Sequence, residues 1–88
     1  MLSNYMENFK VGETVMVKDK ASVDSLTLYK QFKMKYSFLV CPCNVKRTVR
    51  LVLKYVIGNK GLLLHYEGRE NVVTMMVTKD VKKVHNPL

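Results

Sequence analysis

From Lys35 to Thr78 the apolar residues of this chain fall mostly on every second position, and turn-forming residues break the pattern at short intervals. Lys35 to Cys41 alternates through Tyr36, Phe38 and Val40, and Val45 to Ile57 through Val49, Leu51, Leu53 and Tyr55. Gly61 to Glu67 follows with Leu62, Leu64 and Tyr66, then Val72 to Thr78 with Val73, Met75 and Val77. A period of two marks strands with one face buried. The junctions carry Pro42-Cys43-Asn44, Gly58-Asn59 and Gly68-Arg69-Glu70-Asn71, each with residues that suit tight turns. Together they predict an antiparallel meander.

Register is open to arithmetic, because a slip of one residue moves every core side chain to the wrong face. A two-residue loop at Gly58-Asn59 sets Tyr55 opposite Leu62, Leu53 opposite Leu64 and Leu51 opposite Tyr66. A four-residue turn at Gly68 to Asn71 sets Tyr66 opposite Val73, Leu64 opposite Met75 and Leu62 opposite Val77. A turn at Cys43-Asn44 sets Phe38 opposite Val49 and Tyr36 opposite Leu51. All three hairpins then agree on one apolar face. The other face carries Lys35, Arg50, Val52, Lys54, Leu63, His65, Glu67, Val72, Thr74 and Met76, with Arg50 opposite Glu67. Val52, Leu63 and Met76 are too apolar for a face wholly in water, so a helix or a partner must cover part of it. The helix is the expected cover.

That helix is predicted over Ser22 to Met34, where the period changes. Ser22 suits a cap, Asp24 the first turn, and Leu26, Tyr29 and Phe32 recur at intervals of three. Before it, Glu13 to Lys20 reads as a strand with Val15 and Val17 on one face. Phe9 is placed to dock on the core. At 88 residues the chain fits a single domain, 1–88, with 1–8 and 85–88 expected to be loosely ordered.

The segment Phe9-Lys10-Val11-Gly12-Glu13-Thr14-Val15-Met16-Val17-Lys18 resembles the opening of SH3-like small barrels, including KOW-type domains of transcription and translation proteins. Met75-Met76-Val77 through Asp80-Val81-Lys82-Lys83-Val84 is similar to their final strand and short 3₁₀ turn. The resemblance implies a small barrel that binds nucleic acid or protein segments through loops and one open face. The expected class is α+β, mostly β. Its form is a five-stranded antiparallel meander or an SH3-like partly open barrel, with one short helix after the first strand.

Fifteen Lys and Arg against seven Asp and Glu leave a formal charge of +8, of which residues 45–88 carry +6. Such an excess favours polyanions. The basic candidates are Lys35, Arg50 and Lys54 on the mixed face, Lys46 and Arg47 beside the first turn, and Lys79, Lys82 and Lys83 near the end. They suit contacts to a nucleic acid backbone, DNA or RNA. With Tyr36, Tyr55 and Tyr66 assigned to the core face, exposed aromatics at stacking positions are lacking, and twelve lysines to three arginines favour diffuse electrostatics over base readout. The alternative is an interaction or inhibitory module, of the accessory kind viruses carry. It would dock on an acidic host protein, or on a second copy of itself, through Val52, Leu63, His65 and Met76 with a basic rim.

Other chemistry is poorly supported. A Cys-x-Cys disulfide would close a very small, strained ring, so Cys41 and Cys43 are expected to be reduced thiols. Together with His65 and His85 they lack the usual spacing of a zinc site, and no metal and no cofactor is expected. Neither a nucleophile with a positioned base nor a phosphate-binding glycine loop is evident, and no catalytic role is expected. Residues 1–10 contain Glu7 and no apolar run, and no stretch reaches membrane-spanning length. A cytoplasmic, reducing location without membrane contact is the expectation.

Overall fold

A computed structural model describes residues 9–84. The expectations for 1–8 and 85–88, and the role considered for His85, lie outside the described residues. The elements are β1 (Thr14–Val17), α1 (Val23–Phe32), β2 (Leu39–Val40), a 3₁₀ turn (Pro42–Asn44), β3 (Leu51–Ile57), β4 (Gly61–Tyr66), β5 (Arg69–Val77), a second 3₁₀ turn (Thr78–Asp80) and β6 (Val81–Lys83). The class is α+β and mostly β, with the helix after the first strand. In place of a five-stranded meander there is one open six-stranded sheet, ordered β2-β5-β4-β3-β1-β6. It is mixed, because β2 runs parallel to β5 through Leu39 opposite Val73 and Val40 opposite Thr74.

The hairpin of β3 and β4 holds the expected pairs Leu51 with Tyr66 and Leu53 with Leu64. Nearer the turn it departs, because the loop has three residues, 58–60, between Ile57 and Gly61. An odd loop shifts the pairing by one, and a bulge at Lys54 restores it. The bulge reverses the facing of the residues on its turn side. Tyr55 therefore sits opposite Leu63 rather than Leu62, and its ring lies outside the core, 60% exposed.

Between β4 and β5 the pairing is one residue from the expected one: Leu62 with Met76, Leu63 with Met75 and Leu64 with Thr74. The turn is Glu67-Gly68, with Gly68 at φ 80°, and residues 70–72 of β5 take up the irregularity. Met75 and Met76 consequently exchange the faces expected of them.

Both faces of the sheet are covered. On one, Val15, Val17, Leu51, Leu53, Leu62, Leu64, Met76 and Val81 form the main core with Val45, and Phe9, Val40, Val49 and Tyr66 pack against it. This cluster draws on strands from both ends of the sheet order, so the sheet curls over its own apolar side. On the other face Leu39, Leu63 and Met75 lie under Leu28, Tyr29 and Phe32 of α1. The spacing from Ser25 through Leu28 and Tyr29 to Phe32 keeps one stripe of the helix on the sheet. Gly61 permits this approach, since a Cβ there would meet the Ile57 carbonyl oxygen at 2.9 Å and Leu28 Cδ2 at 3.2 Å.

The start of α1 is tied down by a distant residue. Ser22 is the cap position but makes no side-chain cap of its own. Its N–H and its Oγ–H both donate to Oδ2 of Asp80, each at 2.8 Å, and the hydroxyl of Ser25 donates to the same oxygen. Ser25 Oγ in turn accepts the N–H of Val77 at 2.9 Å. One buried carboxylate thus links the helix to the end of β5 and the turn before β6.

Candidate nucleic-acid interface

After Phe32 the chain does not enter a strand at once. The N–H groups of Lys35 and Tyr36 both donate to the Phe32 carbonyl, at 2.9 and 3.1 Å, and Leu39 N–H donates to the Tyr36 carbonyl at 3.1 Å. These turns carry residues 33–38 away from the sheet, so Tyr36 and Phe38 do not pair with β3 and do not enter the core. Phe38 is 83% exposed, Met34 88% and Tyr36 42%. The Tyr36 ring leans on half-buried Phe32, with centroids 6.4 Å apart and planes tilted by 32°. Lysines alternate with these side chains in Lys30-Gln31-Phe32-Lys33-Met34-Lys35-Tyr36-Ser37-Phe38. Lys33 Nζ stands 5.9 Å from the centre of the Tyr29 ring.

The lysines here differ from half of the predicted basic groups in having no counter-ion among the described residues. Among the described residues, Lys30, Lys33 and Lys35 join no ion pair, whereas four of the eight basic candidates do. Arg50 Nε meets Glu67 Oε1 at 3.0 Å, as the cross-strand pairing predicts. Lys79 meets Asp24 at 2.6 Å and Lys83 meets Glu13 at 3.1 Å, while Arg47 lies 3.9 Å from Asp19. The hydrogen bond and charge of Lys79 hold the Asp24 carboxyl below its ordinary range, and Asp24 raises the Lys79 ammonium in return. Both groups are exposed, so the pair adds little to stability. The Asp24 share is present at neutral pH and is lost as pH falls through that lowered value.

The expected basic stripe of Lys35, Arg50 and Lys54 does not form. Lys35 lies in the connection to β2, at one edge of the sheet, whereas Arg50 and Lys54 belong to the β3 region three places across the strand order. Lys46 and Arg47 follow the first 3₁₀ turn and border a cleft with Cys43. Lys82 and Lys83 occupy edge strand β6, where adjacent residues point to opposite faces. Of the alternative apolar set, Val52 and His65 sit opposite one another and share a shallow cleft of about 260 Å³ with Lys54 and Glu70. Leu63, 5% exposed, and Met76, wholly buried, are core residues and cannot belong to a docking surface. The reason lies in the helix over Leu63 and the one-residue shift that turns Met76 into the main core.

His65 Nδ1 is 3.0 Å from the Tyr66 carbonyl oxygen. No group of three or more metal-ligating side chains comes together among the described residues. Cys41 and Cys43 are free thiols with their sulfurs 2.7 Å apart, and the hydrogen bond between them holds the Cys43 thiol above its ordinary range. No helix among the described residues is long and apolar enough to cross a membrane.

No family model, no curated protein and no solved structure matches this chain. No enzyme family or homologue is found, and nothing positively indicates catalysis.

Proposed function

We propose that the protein binds single-stranded nucleic acid through the connection between α1 and β2. The observation that carries this reading is the alternation of lysines without ion pairs among the described residues, Lys30, Lys33 and Lys35, with exposed Tyr36 and Phe38. Sequence-tolerant binding to single strands needs both parts, cations that follow the phosphates and ring faces on which unpaired bases stack. Tyr36 is already oriented by its contact with Phe32, which lowers the ordering cost on binding. Lys46, Lys54 and Lys82, without ion pairs among the described residues, add to the general positive field that steers a polyanion.

Fluorescence anisotropy with short single-stranded and duplex oligonucleotides tests this. Single strands should bind more tightly, with affinity falling steeply as salt rises. Lys33→Glu with Lys35→Glu should weaken binding at least about tenfold and flatten the salt dependence. Tyr36→Ala with Phe38→Ala should weaken it about fivefold or more while leaving the salt slope unchanged, since a stacked base contributes about 1–3 kcal/mol. Binding insensitive to salt, or indifferent to both double variants, would overturn the proposal.

A second reading rests on Met34, whose flexible apolar chain stands almost fully in water and suits a protein surface. An acidic protein, or a second copy of the chain, would use the same segment. A stoichiometric complex that survives nuclease treatment and depends on Met34 distinguishes it.

A further inference from the structure

The Cys41-Pro42-Cys43 turn takes no part in that proposal, yet it is built firmly. Asn44 N–H donates to the Cys41 carbonyl at 2.9 Å and Val45 N–H to the Pro42 carbonyl at 3.2 Å. Pro42 and Val45 are buried, so the backbone on both sides of Cys43 is anchored. The winding brings the two sulfurs into hydrogen-bond contact, 2.7 Å apart. Cys43 is exposed and Cys41 half-buried behind it. With no further ligand gathered among the described residues, a metal ion would find only these two sulfurs. Beside Cys43 a cleft of about 510 Å³ is lined by Lys20, Lys46 and Arg47, with Asp19 as its acid.

We infer that Cys41 and Cys43 are a redox-active dithiol that closes to an intrachain disulfide by exchange with an anionic low-molecular-weight disulfide, the chemical class of oxidised glutathione. Once it has lost its proton, which the hydrogen bond with Cys41 disfavours, the exposed Cys43 sulfur attacks one sulfur of the small disulfide, forming a mixed disulfide and releasing one small thiol. The Cys41 sulfur then attacks Cys43, closing the bond within the chain and releasing the second small thiol. The protein loses two electrons and two protons, and both protons leave on the released thiols. The basic rim favours a carboxylate-bearing reactant, and the anchored turn favours closure over a lasting mixed disulfide. Because the ring spans only one intervening residue it is strained, and excess small thiol reopens it.

The test is intact-mass analysis of the full chain, treated with oxidised glutathione, quenched in acid and alkylated without reductant. Expected is a monomer lighter by two hydrogens, about 2 Da, with both sulfurs protected, reverting on addition of reduced glutathione. Cys41→Ser should stop at a stable mixed disulfide on Cys43. Cys43→Ser should form its mixed disulfide on Cys41 at least tenfold more slowly. A lasting mixed disulfide in the unaltered chain, a covalent dimer, two alkylated sulfurs, or a retained metal ion shielding the pair would each overturn the inference.

Discussion

Replacement of Asp80 by alanine should lower the stability of the fold by about 3–5 kcal/mol, a large part of the roughly 5–10 kcal/mol that a domain of this size holds. The carboxylate accepts from the Ser22 N–H, the Ser22 hydroxyl and the Ser25 hydroxyl in a site from which water is nearly excluded. Hydrogen bonds to a charged group are worth about 1.5–3 kcal/mol each, and their loss leaves the Ser25 hydroxyl buried without its acceptor. The helix N-terminus also loses a favourable anion. Asp80→Asn keeps the shape and one oxygen, so it should cost about half as much. Asp24→Ala, which removes only an exposed partner of Lys79, should be nearly silent. Urea unfolding of the three variants orders these effects, and a silent Asp80→Ala would show that the helix is held by its apolar stripe alone.

Leu63→Asp should unfold the protein. Leu63 lies in the middle of β4 with Met75 opposite and α1 above it, so the substitution buries a carboxylate among side chains that offer it no partner. A loss of about 4–5 kcal/mol or more is expected, seen as an unfolded circular dichroism spectrum at room temperature or a midpoint shifted far downward. Phe38→Asp makes the informative contrast. Its ring is in water, so stability should change by no more than about 0.5 kcal/mol, while binding of a single-stranded oligonucleotide falls. A folded Leu63→Asp variant would contradict the placement of α1 over this face.

The difference between these two leucine and phenylalanine positions also shows where the sequence is legible. Burial alternates at Leu51-Val52-Leu53-Lys54, and the pairs of Leu51 with Tyr66 and Leu53 with Leu64 follow from the turn-based register. In Leu62-Leu63-Leu64, Val72-Val73 and Met75-Met76-Val77 apolar residues are contiguous, because both faces of these strands are covered. A period of two cannot choose a register where either choice buries apolar side chains. The choice then falls to loop length and to the bulge at Lys54, neither of which has a residue signature of its own. Helix existence, Val15 and Val17 in the core, the Arg50–Glu67 pair and the docking of Phe9 are all readable from local chemistry.

The candidate site is half legible. Lys35 stands among the basic candidates, but Tyr36 and Phe38 satisfy an alternation that reads as a strand and assigns them to the core. Two backbone hydrogen bonds to the Phe32 carbonyl override that pattern by curling the chain as it leaves the helix. The interleaving of lysine with aromatic residues from Lys30 to Phe38 is the signal that marks the site in the sequence. Free charge is less legible still, since the partners of Arg47, Lys79 and Lys83 come from residues distant in sequence.

The most direct measurement is an amide NMR titration of the full chain with a short single-stranded oligonucleotide. Shift changes should concentrate on residues 30–38, with the largest at Tyr36 and Phe38, and should shrink as salt is raised. Changes confined to Lys46 and Arg47 or to Lys82 and Lys83, or no changes at concentrations where anisotropy reports binding, would contradict a stacking surface between α1 and β2.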